Sequence, residues 1–361
     1  MVFRLVVFLG GILLVSLALF SAFKSFVMPR AAQDWLARLV FNNLRRLLRL
    51  RLRHIPDYNG RDRLLAYYAP LGLLLMVPTW YFLILLGYTC LFWAVNPASW
   101  YQAFRESGSS LFTLGFSAAD GLGFLLLSFS EAGFGLMLVA LLIAYLPTMY
   151  AAFSRREVAV TKLDVRAGTP PSPVEMLKRF HRIQGLERLQ YEWEGWETWF
   201  AEIEESHTSL AALVFFRSPR PEHAWINAAA TVLDAAALRQ SVLELPPEPE
   251  ASLCIRAGYL ALRHISDFFG IVYNPDPQRG DPIAITHAQF DAACRELETA
   301  GLPLKADREQ AWRDFAGWRV NYDAVLLPLA RLCAAPPAFW LLTEEDVKDQ
   351  FNTALHHRPG G

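Results

Sequence analysis

The sequence predicts an all-α membrane protein: three transmembrane helices, a re-entrant helix and loop between the second and third, and a cytosolic all-α domain. Three observations carry this. Of the 361 residues 53% are hydrophobic, and the mean hydropathy of +0.22 is too apolar for an ordinary soluble chain of this length. The apolar residues are also unevenly spread, with charge-free runs of 19 residues at Leu5–Phe23, 41 at Leu64–Phe104 and 23 at Ala132–Ser154. At about 1.5 Å rise per residue and ~30 Å of hydrocarbon, each run supplies at least one span. Beyond Ser154 no such run recurs, and the chain reads as amphipathic helices without a convincing period-two stretch.

Residues 1–27 form the first transmembrane helix. A secretory signal has an apolar core of roughly 7–15 residues and a small-residue exit; this run is longer and lacks that exit before Lys24. Residues 28–63 are a basic amphipathic linker carrying Arg30, Arg38, Arg45, Arg46, Arg49, Arg51, Arg53, Arg61 and Arg63, whereas the segment after the second span offers only Arg105. The positive-inside bias puts this linker in the cytoplasm, the N-terminus outside and the C-terminal domain in the cytoplasm. Within 31–54, Trp35, Leu36, Leu39, Val40, Leu44, Leu47 and Leu48 share a helical face with arginines opposite. Such a helix lies on the inner leaflet against anionic lipid, or packs on the protein.

Residues 64–156 hold the second and third spans and what lies between them. Pro70 and Pro78 predict kinks in the second span, and Trp93 and Trp100 suit the outer interface. The third span, about 128–153, carries Gly133, Gly135 and Pro147 and ends at the basic pair Arg155 and Arg156. A linker, 157–173, includes Thr169-Pro170-Pro171-Ser172-Pro173. The cytosolic domain, 174–361, is then predicted as helices at about 174–206, 223–245, 251–270, 286–300 and 306–333.

Up to Phe153 there are 12 basic and 6 acidic residues, and 22 against 29 beyond it, so the tail is acidic and no nucleic-acid partner is expected. Cys90, Cys254, Cys294 and Cys333 are isolated, which fits reduced thiols and no structural zinc. Glu192, Glu194, Glu197, His207 and His223 are metal-capable types without a ligand spacing. No nucleophile elbow, Walker loop, dinucleotide fingerprint or HExxH occurs, so no catalytic residues and no cofactor are assigned.

The segment from Asn96 to Phe124 is too short and too polar to be another full span, yet it lies between two membrane helices. A half-helix from about Trp100 to Phe112, capped by Asn96 or Ser99, followed by a loop accounts for it. Non-helical backbone at membrane depth is tolerated only where protein buries it or it lines a watery cavity. Thr113, Leu114, Gly115, Phe116 and Ser117 then have the character of a carbonyl-lined filter. Gly115 permits a left-handed backbone, Thr113 adds a hydroxyl, and Leu114 and Phe116 can pack outward.

The order of outer helix, pore helix, Thr113-Leu114-Gly115-Phe116 and inner helix resembles the pore module of potassium channels, whose filter is Thr-Val-Gly-Tyr/Phe-Gly followed by Asp. The likeness covers about 64–156; the whole chain resembles bacterial potassium-channel-like membrane proteins with a helical tail. The resemblance implies a homotetramer in the bacterial plasma membrane, because one copy cannot close a four-fold filter, and K⁺ as permeant ion, with Na⁺ as the competitor. It aligns Thr113 to Phe116 with the first four filter positions and puts Gly135 at the inner-helix hinge, with Gly133 close by. Ser117 departs from the pattern where the second filter glycine stands, which is closer to the single-glycine filters of Trk- and Ktr-type transporters. Asp120 arrives late, either as a charge at the outer mouth or as an ordinary solvated loop aspartate. Glu131 either braces the loop by hydrogen bonds or sits at the external interface. In the tail, Arg217, Ser218 and Arg220 form a loop that either takes an acidic ligand or phosphate or serves only the structure. The expected function is cation conduction gated by the inner helices and the tail; the alternative is a non-conducting membrane sensor or scaffold that uses the same segment to assemble.

Overall fold

A computed structural model describes residues 1–26, 28, 34–55, 57–96, 99–117, 121–341 and 343. Among these the protein is all-helical, with a lone antiparallel bridge between Leu243 and Leu304 as its extended pairing. Three helical stretches are long and apolar enough to cross a membrane: Val2–Phe26, Tyr58–Val95 and Leu122–Ala167. The chain divides into two compact units, one of 1–50 with 67–151, the other of 51–66 with the described part of 152–361.

In the first unit α1 (Val2–Phe26) packs along α4 (Tyr68–Val95). Gly11 and Gly87 make that packing close, since a Cβ on Gly11 would lie 2.6 Å from the Gly87 carbonyl and one on Gly87 would lie 2.9 Å from the Gly11 carbonyl. Small residues at crossing points are how helices gain contact where lipid removes the hydrophobic drive. Polar ties fix both ends of the pair. Arg4 donates to the carbonyls of Ala94 (2.7 Å) and Val95 (2.9 Å) at the carboxyl end of α4. At the other end Trp80 Nε1 donates to Ser21 Oγ (2.8 Å), and Ser21 donates to Asp34. Asp34 in turn accepts from the Ala37 amide (3.1 Å), capping α2 (Trp35–Leu52). This helix turns Leu36, Leu44 and Leu48 inward and leaves Trp35, Leu39, Leu47 and Leu50 exposed.

The twelve residues of α5 (Trp100–Leu111) rise about 18 Å, too short to cross ~30 Å of hydrocarbon. Ser99 occupies the cap position without a side-chain bond. α5 lies against α4, and α6 (Leu122–Ala167) contributes Leu138 to the core around Trp80, Ile84, Tyr88 and Phe92. α6 begins before the expected third span and stays helical well past Arg156. Only 17% of its most apolar stretch is buried within the chain, which is compatible with a helix that crosses a membrane.

The second unit contains α3 (Tyr58–Ala66), the end of α6, α7 (Pro173–Arg182), α8 (Leu189–Ser209), α9 (Trp225–Val242), α10 (Pro249–Phe268), α11 (His287–Thr299) and α12 (Arg308–Cys333). The stretch expected as one helix over 174–206 is two, because Gln184 is left-handed (φ 55°) and the Gly185 amide returns to the Phe180 carbonyl at 2.7 Å, closing α7. Side chains start the others: Ser172 caps α7, Thr286 forms a capping box with Gln289 on α11, and Asp307 caps α12. α9 is the axis of the unit. It is buried on every side, Gln240 alone being partly exposed, and packs against α7, α10 and α12. Its Asp234 is paired in the interior with Arg319 Nη1 (2.5 Å) and accepts from Tyr322 Oη (2.9 Å), which satisfies a carboxylate that could not otherwise be buried.

Candidate functional site: the loop between α5 and α6

The end of α5 determines the loop. The Leu114 amide returns to the Ser109 carbonyl (2.8 Å) and the Thr113 amide to that of Ser110 (3.0 Å), a Schellman closure with Thr113 in the left-handed region at φ 54°. Glycine usually fills that position, and a residue bearing Cβ costs about 1–2 kcal/mol there. A β-branched residue held so is the kind of local strain that clusters at functional sites. Two residues on, Gly115 is left-handed as well, at φ 69°. Leu114 between them is not.

No hydrogen bond among the described residues uses the carbonyl oxygens of Thr113, Leu114, Gly115 or Phe116. The side chains of Leu114 and Phe116 are exposed, at 61% and 58%. The loop thus offers four successive backbone acceptors that bond no described residue, and two large exposed apolar groups. Ser117 is not left-handed; it is tied back to α5, its amide donating to Ser109 Oγ (3.1 Å) and its hydroxyl to Glu106 Oε1 (2.5 Å). Here the loop turns into a clasp where the resemblance has a second glycine, and no left-handed strain arises at the serine. Asp120 lies outside the described residues.

Glu131 and Gly135 sit one turn apart on α6, and both meet α5. Glu131 is wholly buried, with Oε1 2.6 Å from Ser107 Oγ, while Oε2 has no partner among the described residues. Because α6 starts at Leu122, this carboxylate lies inside the apolar helix. Gly135 is a contact point: a Cβ there would lie 2.5 Å from the Leu111 carbonyl oxygen. Its own carbonyl accepts from Tyr81 Oη of α4 at 2.7 Å. Gly133, by contrast, has nothing within 4 Å of a Cβ. Tyr81 and Tyr88, whose hydroxyl is 2.8 Å from Ser130 Oγ, are polar groups inside the charge-free Leu64–Phe104 run, the one signal the sequence offers for them; Ser107 lies beyond that run and has none.

In the second unit Ser218 is buried, Arg217 is half-buried with its side chain largely covered, and Arg220 is exposed. Arg217 donates to Cys333 O (2.9 Å), Ala334 O (3.0 Å), Tyr58 Oη (2.5 Å) and Asp62. Its guanidinium is occupied by protein groups, which leaves Arg220, 3.2 Å from Asp164, as the member of this loop that reaches solvent. His207 is buried between Ser206 and Arg156, and burial followed by the neighbouring guanidinium holds its imidazole well below the ordinary range. His223 lies 2.9 Å from Asp164. Among the described residues no group of three His, Cys, Asp or Glu is placed to hold a metal ion.

No protein-family model, curated protein or solved structure matches this chain.

Proposed function

We propose that the chain is one subunit of a homotetrameric, potassium-channel-like cation channel of the bacterial plasma membrane. The observation that supports it best is the run of unpaired carbonyls from Thr113 to Phe116 with left-handed backbone at Thr113 and Gly115, set between a half-length helix and an apolar helix. Backbone acceptors at membrane depth need a partner. Four such loops about an axis replace the hydration shell of K⁺, or less selectively Na⁺, with carbonyl dipoles. In this reading α5 is the re-entrant pore helix, α4 and α6 are the outer and inner helices, and three other copies cover Leu114, Phe116 and the bare face of α6. The N-terminus is external, and the helical unit built on the end of α6 is cytosolic and biases the gate. The exposed Trp35, Leu39, Leu47 and Leu50 of α2, beside Arg45 and Arg46, meet anionic lipid.

One observation favours the second reading, a non-conducting membrane sensor or scaffold. The clasp of Ser117 onto Glu106 draws the end of the loop back to α5, and a loop so folded could serve assembly alone.

Cation flux in liposomes, comparing K⁺ with Na⁺ and wild type with Gly115→Asp, decides between them. Aspartate strains φ 69° and sets a charge beside the carbonyl run, so the channel reading expects flux to vanish with the oligomer intact. Equal flux from both proteins refutes the filter. A monomer or dimer in mild detergent excludes a four-fold pore.

A further inference from the structure

The roots of two apolar helices meet the same short stretch of the second unit. Arg156, on the continuation of α6, donates to the carbonyls of Leu213 (2.8 Å) and Phe216 (2.7 Å). Immediately afterwards, Arg217 reaches α3, donating to Asp62 and Tyr58, and its remaining bonds go to Cys333 and Ala334 at the end of α12. Ala334 is left-handed (φ 52°), and the Ala335 amide closes α12 on the Ala330 carbonyl at 2.9 Å, which turns the last two carbonyls toward the guanidinium. The Arg217 and Asp62 side chains are 8% and 10% exposed.

α3 has nine polar-rich residues, too few to hold a helix in isolation, so its order comes from what it docks on. One residue, Tyr67, separates it from α4, and the backbone there stays helical (φ −80°, ψ −13°). α3 is thus the stretch of chain from which α4 begins. We propose that Leu213–Arg217 is the coupling element of this protein, and that Arg217 is a positioning residue that acts through α3 on α4 while its neighbouring carbonyls hold α6. The coupling to a gate rests on the channel reading; the tether does not. Any ligand or contact that shifts this segment disturbs α3 and the continuation of α6 together, because both bond to these five consecutive residues.

The test uses full-length protein in liposomes with two readouts, hydrogen exchange over 58–66 and cation flux. Arg217→Met keeps the apolar stem and removes the fork, and Asp62→Asn removes only the partner's charge. Both are expected to raise exchange over 58–66 at least tenfold while α9 stays protected, and to change the magnitude of flux without changing the K⁺/Na⁺ ratio. Arg217→Lys is not expected to rescue, since an ammonium cannot serve four acceptors spread about a planar fork. Unchanged exchange over 58–66 overturns the tether. Released exchange with wild-type flux overturns the coupling. A wild type that conducts no ion counts against the channel reading, and the exchange result still decides the tether.

Discussion

Replacing Gly135 by alanine tests the join between α5 and α6 at one atom. The new Cβ would lie 2.5 Å from the Leu111 carbonyl oxygen and 3.2 Å from Leu111 Cδ1. An ordinary C···O contact of about 3.3 Å then requires a retreat of about 0.8 Å by backbone, because the obstructing atom is a carbonyl. That carbonyl belongs to the last residue of α5, whose next residues are Phe112 and the strained Thr113, so the displacement is handed straight to the loop. Withdrawal of α6 instead would stretch the 2.7 Å bond from Tyr81 to the Gly135 carbonyl. Overpacking of this kind costs about 1–3 kcal/mol. Gly133→Ala is the matched control, since nothing lies within 4 Å of its Cβ and a mid-helix glycine yields about 0.5–1 kcal/mol on replacement by alanine. Thermal unfolding of the detergent-solubilised protein should show Gly135→Ala below wild type and Gly133→Ala at or above it, with flux reduced only in the former. Equal unfolding temperatures and equal flux for the two variants would refute a tight α5–α6 contact and the role given to it.

Two further expectations concern single residues. Thr113→Gly removes the strain of a β-branched residue at φ 54° and should leave the protein as stable as wild type or about 1 kcal/mol more so, while the loss of the hydroxyl weakens ion coordination; a clear drop in unfolding temperature would show instead that the threonine side chain packs. For His207 the folded pKa lies below the unfolded value of about 6.5, so the unfolded chain binds the extra proton. Its stabilisation is whole above pH ~6.5 and falls by up to about 1.4 kcal/mol per pH unit below that. Exchange protection in α8 and α9 should decline on acidification through this window and decline less in His207→Gln; parallel curves would remove the histidine as the cause.

The three helices long and apolar enough to cross a membrane are legible in the sequence because a water-soluble fold seldom tolerates a charge-free run of membrane length. Where α6 stops is not. Arg155 and Arg156 read as the end of a span, yet Arg156 is buried on carbonyls of Leu213 and Phe216, and Val160, Leu163 and Ala167 continue into the core of the second unit. A basic pair at a membrane boundary looks the same whether the helix ends or merely leaves the lipid. The break between α7 and α8 was hidden because Gln184, not a glycine, takes the left-handed turn. At the candidate site the local composition of the loop could be read, and its position between helices could be inferred. The contacts that shape it could not be, since Ser107 finds Glu131 and Leu111 finds Gly135 only through the packing of α5 on α6. Arg217 shows the same limit: an arginine beside Ser218 and Arg220 suggests an anion site, whereas its actual partner, Asp62, comes far earlier in the chain.

A helix with no wet face cannot be finished before its neighbours. α9 is sheltered only when α7, α10 and α12 are all in place, and α12 is the last of them to leave the ribosome. Until Arg308–Cys333 has emerged, the apolar Trp225–Val242 has no complete shelter. Assembly of the second unit is thereby deferred until α12 has been made, after the apolar helices that precede it.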